Sequence, residues 1–145
     1  IGETKEVPMK TIVLGYDETE PAKRALERTA ELATTFGAHV IVTSVAPTHA
    51  AMVHGVGPFE HWNSPEMHRE QQARGGAILR ERGVDFETVL GLGDAPDEIV
   101  RLAEERDADL IVVGTREPNL LARLLGQSVS GTVQRRAHCD VLIVH

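Results

Sequence analysis

The sequence predicts a three-layer α/β domain built on a five-stranded parallel sheet, and two observations carry that prediction. Five short aliphatic runs alternate with segments of helical periodicity. The crossovers between the runs span roughly 10–20 residues, the length at which parallel strands are joined right-handedly and helices are laid on both faces of the sheet.

The first run, KTIVLGYD over residues 10–17, is aliphatic and ends in an acid. Residues 20–36 then place Ala22, Leu26, Thr29, Ala33 and Phe36 on one helical face, with Gly37 as the stop. HVIVTSV (39–45) is the second buried run, and residues 46–63, punctuated by Gly55, Gly57 and Pro58, read as loop. Ser64 and Pro65 supply the N-cap and first residue of a helix reaching about Arg82. Gly75 and Gly76 stand inside that helix against its propensity, each costing about 1 kcal/mol relative to alanine. VDFETVL (84–90) alternates apolar and polar residues, the pattern of a half-exposed edge strand. Asp94 caps a helix with Pro96 early and Ile99, Leu102 and Ala103 inward. ADLIVVG (108–114) is almost wholly apolar and therefore central; a further helix carries Val129, Val133 and Ala137, and DVLIVH (140–145) is the fifth strand.

Composition narrows the function. At 145 residues the chain is long enough for one core without staples. Its net charge of −7, without a Lys/Arg run, argues against nucleic acid or an anionic membrane as partner. The single cysteine, Cys139, cannot form an internal disulfide, which points to a reducing compartment, the cytoplasm. No apolar run reaches transmembrane length. Residues 1–8 are polar, precede Met9 and are set aside as an N-terminal extension to a domain over 9–145.

In sheets of this kind ligands bind beyond the carboxyl ends of the strands, where the strand order reverses. That directs attention to Gly15-Tyr16-Asp17 and to Gly114-Thr115-Arg116, which opens the loop GTREPNLLARLLGQSVS (114–130). An acid and a glycine–hydroxyl loop are groups that hold a ribose and a phosphate; equally, Asp17 is placed to cap the turn that follows it. Thr115, Ser128 and Ser130 have no base-and-orienter set beside them and read as helix-capping hydroxyls. No G-x4-G-K-S/T motif occurs, so a P-loop is absent. A phosphorelay receiver would need an aspartate ending the third strand and a lysine ending the fifth, where Leu90 and His145 stand. His49, His54, His61 and His68 lack the helical i, i+4 spacing of a zinc pair and any companion cysteine, and read as solvated, not as metal ligands. Phe59 and Trp62 fit a pocket mouth or a subunit contact, and Cys139 a small buried hydrophobe.

Four stretches, TIVLGYDETEPAKRAL, LGDAPDEIVRLAEERDADLIVVGTR, GQSVS and RRAHCDVLIVH, resemble the universal stress protein family across essentially all of residues 9–145. The resemblance implies a Rossmann-like sheet of order 3-2-1-4-5 and a homodimer paired through the last strand, with Val141 and Ile143 at its contact. ATP-binding members of the family share a loop of pattern G-x2-G-x9-G-S/T-x-S/T after the fourth strand. Carried across, Asp17 is the ribose acid, Val45 the residue whose main chain reads adenine, and Gly114 the loop's first glycine. Glu117 and Gln127 replace the second and third glycines; Gly126 lies one residue early, and Ser128 and Ser130 fit the hydroxyl positions. Thr115 and Arg116 complete the candidate set, Arg116 as a partner for a phosphate or for Glu117.

The replacements matter physically. A carboxylate about 6 Å from one phosphate charge costs roughly 2–3 kcal/mol at an effective dielectric of about 20, on the order of a hundredfold in affinity. The expectation is a non-catalytic, dimeric stress-response module with a degraded nucleotide loop, requiring no cofactor and binding ATP or AMP weakly. Two readings compete with it: an ATP- or AMP-binding member using Asp17, Gly114, Ser128 and Ser130, and a metal-responsive protein using the histidine loop.

Overall fold

The computed structural model describes residues 9–48, 64–115 and 129–145. Within them β1 (Thr11–Gly15), α1 (Glu20–Phe36), β2 (His39–Ala46), α2 (Pro65–Glu81), β3 (Phe86–Leu92), α3 (Ala95–Glu105), β4 (Leu110–Gly114), α4 (Val129–Arg136) and β5 (Asp140–Val144) follow in order. All strand pairs are parallel and the sheet runs β3-β2-β1-β4-β5, the order implied by the resemblance. Strand order therefore reverses between β1 and β4.

Alternation along the central strands divides the core in two. Ile12, Leu14, Val40, Val42, Leu110 and Val112 face one layer, where Ala22, Ala25, Leu26, Ala30 and Ala33 of α1 and Leu79 of α2 meet them. Val13, Ile41, Ile111 and Val113 face the other, against Ile99, Leu102 and Ala103 of α3 and Val133 of α4. The alanine stripe on α1 lets that helix lie close over β1 and β4, which explains a tight core in a chain with few aromatics.

Helix ends follow the sequence. Thr19, Ser64 and Asp94 accept from the backbone N–H of Ala22, Met67 and Asp97 respectively, each with a proline in the first turn. Gly37 closes α1 at φ 67°, a left-handed cap. The glycines inside α2 are packing sites: a Cβ on Gly75 would meet the Tyr16 ring at 2.9 Å, and one on Gly76 the Phe86 ring at 2.5 Å.

The structure corrects several expectations. Phe36 is exposed, because it ends α1 beyond the last inward alanine and the chain turns away at Gly37. Val129, the first residue of α4, is likewise exposed, and the buried side chains of that helix are Ser130 and Val133. β3 runs two residues past Leu90, since Gly91 and Leu92 continue its pairing with Val45 and Ala46. Its start is later than expected too: Val84 N–H donates to Leu79 O, which belongs to the turn out of α2. β3 does lie at an edge and is mostly half-buried, as its alternation predicts.

Candidate functional site

A cavity of about 630 Å³ opens at the carboxyl ends of β1, β2 and β4, the reversal point of the sheet. Gly15, Tyr16 and Asp17 form one side, Thr43, Ser44 and Val45 another, and Val113 and Gly114 a third. α2 contributes Met67, His68, Gln71 and Arg74, while Ala95, Ile99 and Val129 close the far wall.

Of the residues singled out from sequence, Asp17, Val45 and Gly114 meet in this cavity. Asp17 Oδ1 accepts from Thr19 N–H at 3.1 Å and from Thr19 Oγ1 at 2.6 Å, so the acid does cap its own turn while lining the cavity. Thr19 Oγ1 in turn accepts from Ala22 N–H, joining the turn to the start of α1. Val45 sits beyond the end of β1, whose last main-chain bond to β2 runs from Tyr16 N–H to Thr43 O. Gly114 packs against the first turn of α1. Thr115 is buried, with its N–H donated to Val144 O, and Ser130 is buried in α4; neither lines the cavity. Arg116, Glu117, Gly126, Gln127 and Ser128 lie outside the described residues, as do His49, His54, His61, Phe59 and Trp62.

His68 corrects an expectation. It is 7% exposed, not solvated, and its Nδ1 lies 2.6 Å from Ser44 Oγ. Ser44 is the meeting point for α2: its hydroxyl donates to Gln71 Oε1 at 3.2 Å and its backbone N–H to Gln72 Oε1 at 3.2 Å. Burial lowers the His68 pKa from its ordinary value, and the Asp17 carboxylate pulls weakly the other way. Apolar periodicity passes over Ser44, Gln71 and Gln72 and leaves His68 among the solvated histidines. Positions 68, 71, 72 and 75 have the spacing of an inward stripe, but three of them are polar.

On the open side, Arg74 holds Glu18 with two bonds, Nε to Oε2 at 2.9 Å and Nη2 to Oε1 at 2.5 Å. Glu18 stands at φ 59°, a left-handed conformation that costs a non-glycine residue on the order of 1 kcal/mol. The Arg74 hydrogen bond lowers the Glu18 pKa, and burial followed by the Glu18 charge raises that of Tyr16. Arg74 is the one Lys or Arg on the cavity wall among the described residues. No group of three or more His, Cys, Asp or Glu among the described residues is arranged to hold a metal ion. No helix among them is long and apolar enough to cross a membrane.

Known proteins share this architecture. The sequence model of the universal stress protein family matches residues 8–145. A universal stress protein of Mycobacterium tuberculosis is 34% identical over 94% of this chain and 96% of its own length. Another, from Methanocaldococcus jannaschii, is 32% identical over 93% of this chain and 81% of its own. Among solved structures, a universal stress protein in complex with cAMP superposes with a TM-score of 0.74 at 29% identity, covering 95% of this chain and 98% of that one. The Archaeoglobus fulgidus universal stress protein in complex with dAMP superposes with a TM-score of 0.71 at 26% identity, covering 94% and 98%. With a family match across nearly its whole length and relatives above 30% identity, the chain belongs to the universal stress protein family.

Proposed function

We propose that the protein is a non-catalytic, dimeric binding module whose cavity takes the adenosine half of a nucleotide, with AMP bound at least as well as ATP. The observation that carries this is the convergence of Asp17, Val45 and Gly114 on one cavity of about 630 Å³ at the reversal point of the sheet. Asp17 would accept from ribose hydroxyls there, and the strand-end main chain at Val45 would read a base. Relatives of the same fold in complex with cAMP and with dAMP, both monophosphates, support the choice of ligand.

The phosphate half is weaker by chemistry. Glu117 and Gln127 stand where close backbone approach to phosphates calls for glycine, and the repulsion from Glu117 grows with each phosphate charge. Arg116, Gly126 and Ser128 complete the proposed phosphate side, whereas Ser130, buried in α4, stands back from it. For catalysis, the hydroxyl–imidazole pair Ser44–His68 is the nearest arrangement on the cavity wall. Ser44 is 2% exposed and its hydroxyl is held between His68 Nδ1 and Gln71 Oε1, so the pair acts as a buried structural tie and not as a nucleophile with its base. The single cysteine suits a reducing, cytoplasmic compartment.

Titration calorimetry with adenosine, AMP and magnesium ATP tests the reading. AMP is expected to bind comparably to ATP or better, and Glu117→Gly with Gln127→Gly together to tighten ATP clearly. Micromolar ATP binding by the parent protein would overturn it, because Gly126 and Arg116 would then be sustaining a working phosphate loop.

A further inference from the structure

The acid on the cavity wall stands between two residues that α2 holds. Tyr16, one position before Asp17, is buried, and its ring lies where a Cβ on Gly75 would come within 2.9 Å. Glu18, one position after, accepts from Arg74 on both carboxylate oxygens, from Nε at 2.9 Å and from Nη2 at 2.5 Å. Two parallel bonds from one guanidinium fix direction as well as distance. Arg74 and Gly75 are neighbours in α2, so one turn of that helix grips the chain on both sides of Asp17. The bonds from Thr19 to Asp17 are internal to the turn and move with it.

Glu18 also stands at φ 59°, a conformation that glycine takes freely and other residues keep only where their surroundings hold them. The Arg74 fork is such a hold, and it reaches Glu18 across 56 positions of sequence. We propose that Arg74 is a positioning residue of the cavity: through Glu18 it fixes the turn that carries Asp17, and so sets how firmly the ribose hydroxyls of a ligand are held. This rests on the reading of the cavity as an adenosine site with Asp17 as its ribose acid, and names the side chain that keeps the acid in place. Arg74 lines the cavity as well, and a guanidinium acting directly on a phosphate would show a different dependence on the ligand.

The test compares AMP with 2′,3′-dideoxyadenosine 5′-monophosphate, which keeps the base and the phosphate and lacks both ribose hydroxyls, by calorimetry. The parent is expected to prefer AMP by about tenfold, the worth of a hydrogen bond to a charged acceptor. Arg74→Gln should cut that preference to within about threefold by weakening AMP alone, with the dideoxy ligand bound as before. Glu18→Gly removes the other end of the tie and takes the left-handed turn without strain, and should cut the preference likewise. Thermal melts confirm that each variant is folded, and Glu18→Gly carries the test if Arg74→Gln is not. Equal weakening of both ligands by Arg74→Gln would overturn the positioning role and put the guanidinium on the phosphate, leaving the adenosine site standing. A preference that survives both substitutions would overturn it too. A parent that binds the two ligands equally, or neither, would overturn the ribose role of Asp17 itself, and this inference with it.

Discussion

A methyl group placed on Gly114 would stand 2.5 Å from the carbonyl carbon of Pro21 and 2.6 Å from the amide nitrogen of Ala22. Both are main-chain atoms of the first turn of α1 and cannot rotate aside. The glycine that opens the loop after β4 therefore serves a helix-to-strand contact, whatever it also does for a ligand. Gly114→Ala is expected to destabilise the ligand-free protein by about 1–3 kcal/mol through overpacking. Urea denaturation without nucleotide measures this, and an unchanged midpoint would show that the contact yields freely.

Acid should weaken the fold through His68. Its pKa is lowered in the folded state by burial, against about 6.5 when unfolded. As pH falls through about 6.5 the unfolded chain takes up a proton that the folded chain resists, so stability present above that pH is lost on the way down to the lowered folded value. The melting temperature should drop between about pH 7.5 and 5.5, and drop less in His68→Gln. Equal drops in both proteins would place the titration elsewhere.

Dimerisation is expected through β5. That strand is at a sheet edge, and Val144 turns its carbonyl to Thr115 N–H, so by alternation Val141 and Ile143 direct their main-chain groups away from β4. A matching strand from a second copy would cover that edge isologously. Val141→Lys with Ile143→Lys should yield monomer by light scattering. Because both side chains also pack partly on the α3–α4 side of the core, circular dichroism must confirm the fold. A persisting dimer in a folded variant would rule out this interface.

A chelator should change nothing. His68 is committed to Ser44 and no metal-holding group occurs among the described residues. EDTA is expected to leave the melting temperature unmoved, whereas stoichiometric zinc in protein prepared without chelator would revive the metal-responsive reading.

Sequence periodicity carried most of the fold because aliphatic β-runs and alanine-faced helices obey simple spacings. KTIVLGYD, HVIVTSV and ADLIVVG fall within a residue or two of β1, β2 and β4, and three helix starts carry their capping residue and proline together. What escaped was governed by partners distant in sequence. Gly75 and Gly76 weaken a helix in isolation, yet they admit the rings of Tyr16 and Phe86, residues 59 and 10 positions away by subtraction of their numbers. His68 looked like one more polar histidine because Ser44, its partner, lies 24 residues earlier. For Asp17 the turn bond was legible because it is local, and its place beside the cavity because that follows from strand order.

The bare stretch of α2 at Gly75 and Gly76 makes the gap between helix and sheet a matter of ring thickness. Tyr16 acts as a spacer there: its ring occupies the space that a side chain at position 75 would take between helix and sheet at the cavity's edge. Trimming Tyr16 to leucine would let α2 settle inward and narrow the mouth. Enlarging Gly75 would prop it open. Aperture in this protein is thus tuned from the sheet end that faces the bordering helix, by a ring for which Gly75 makes room.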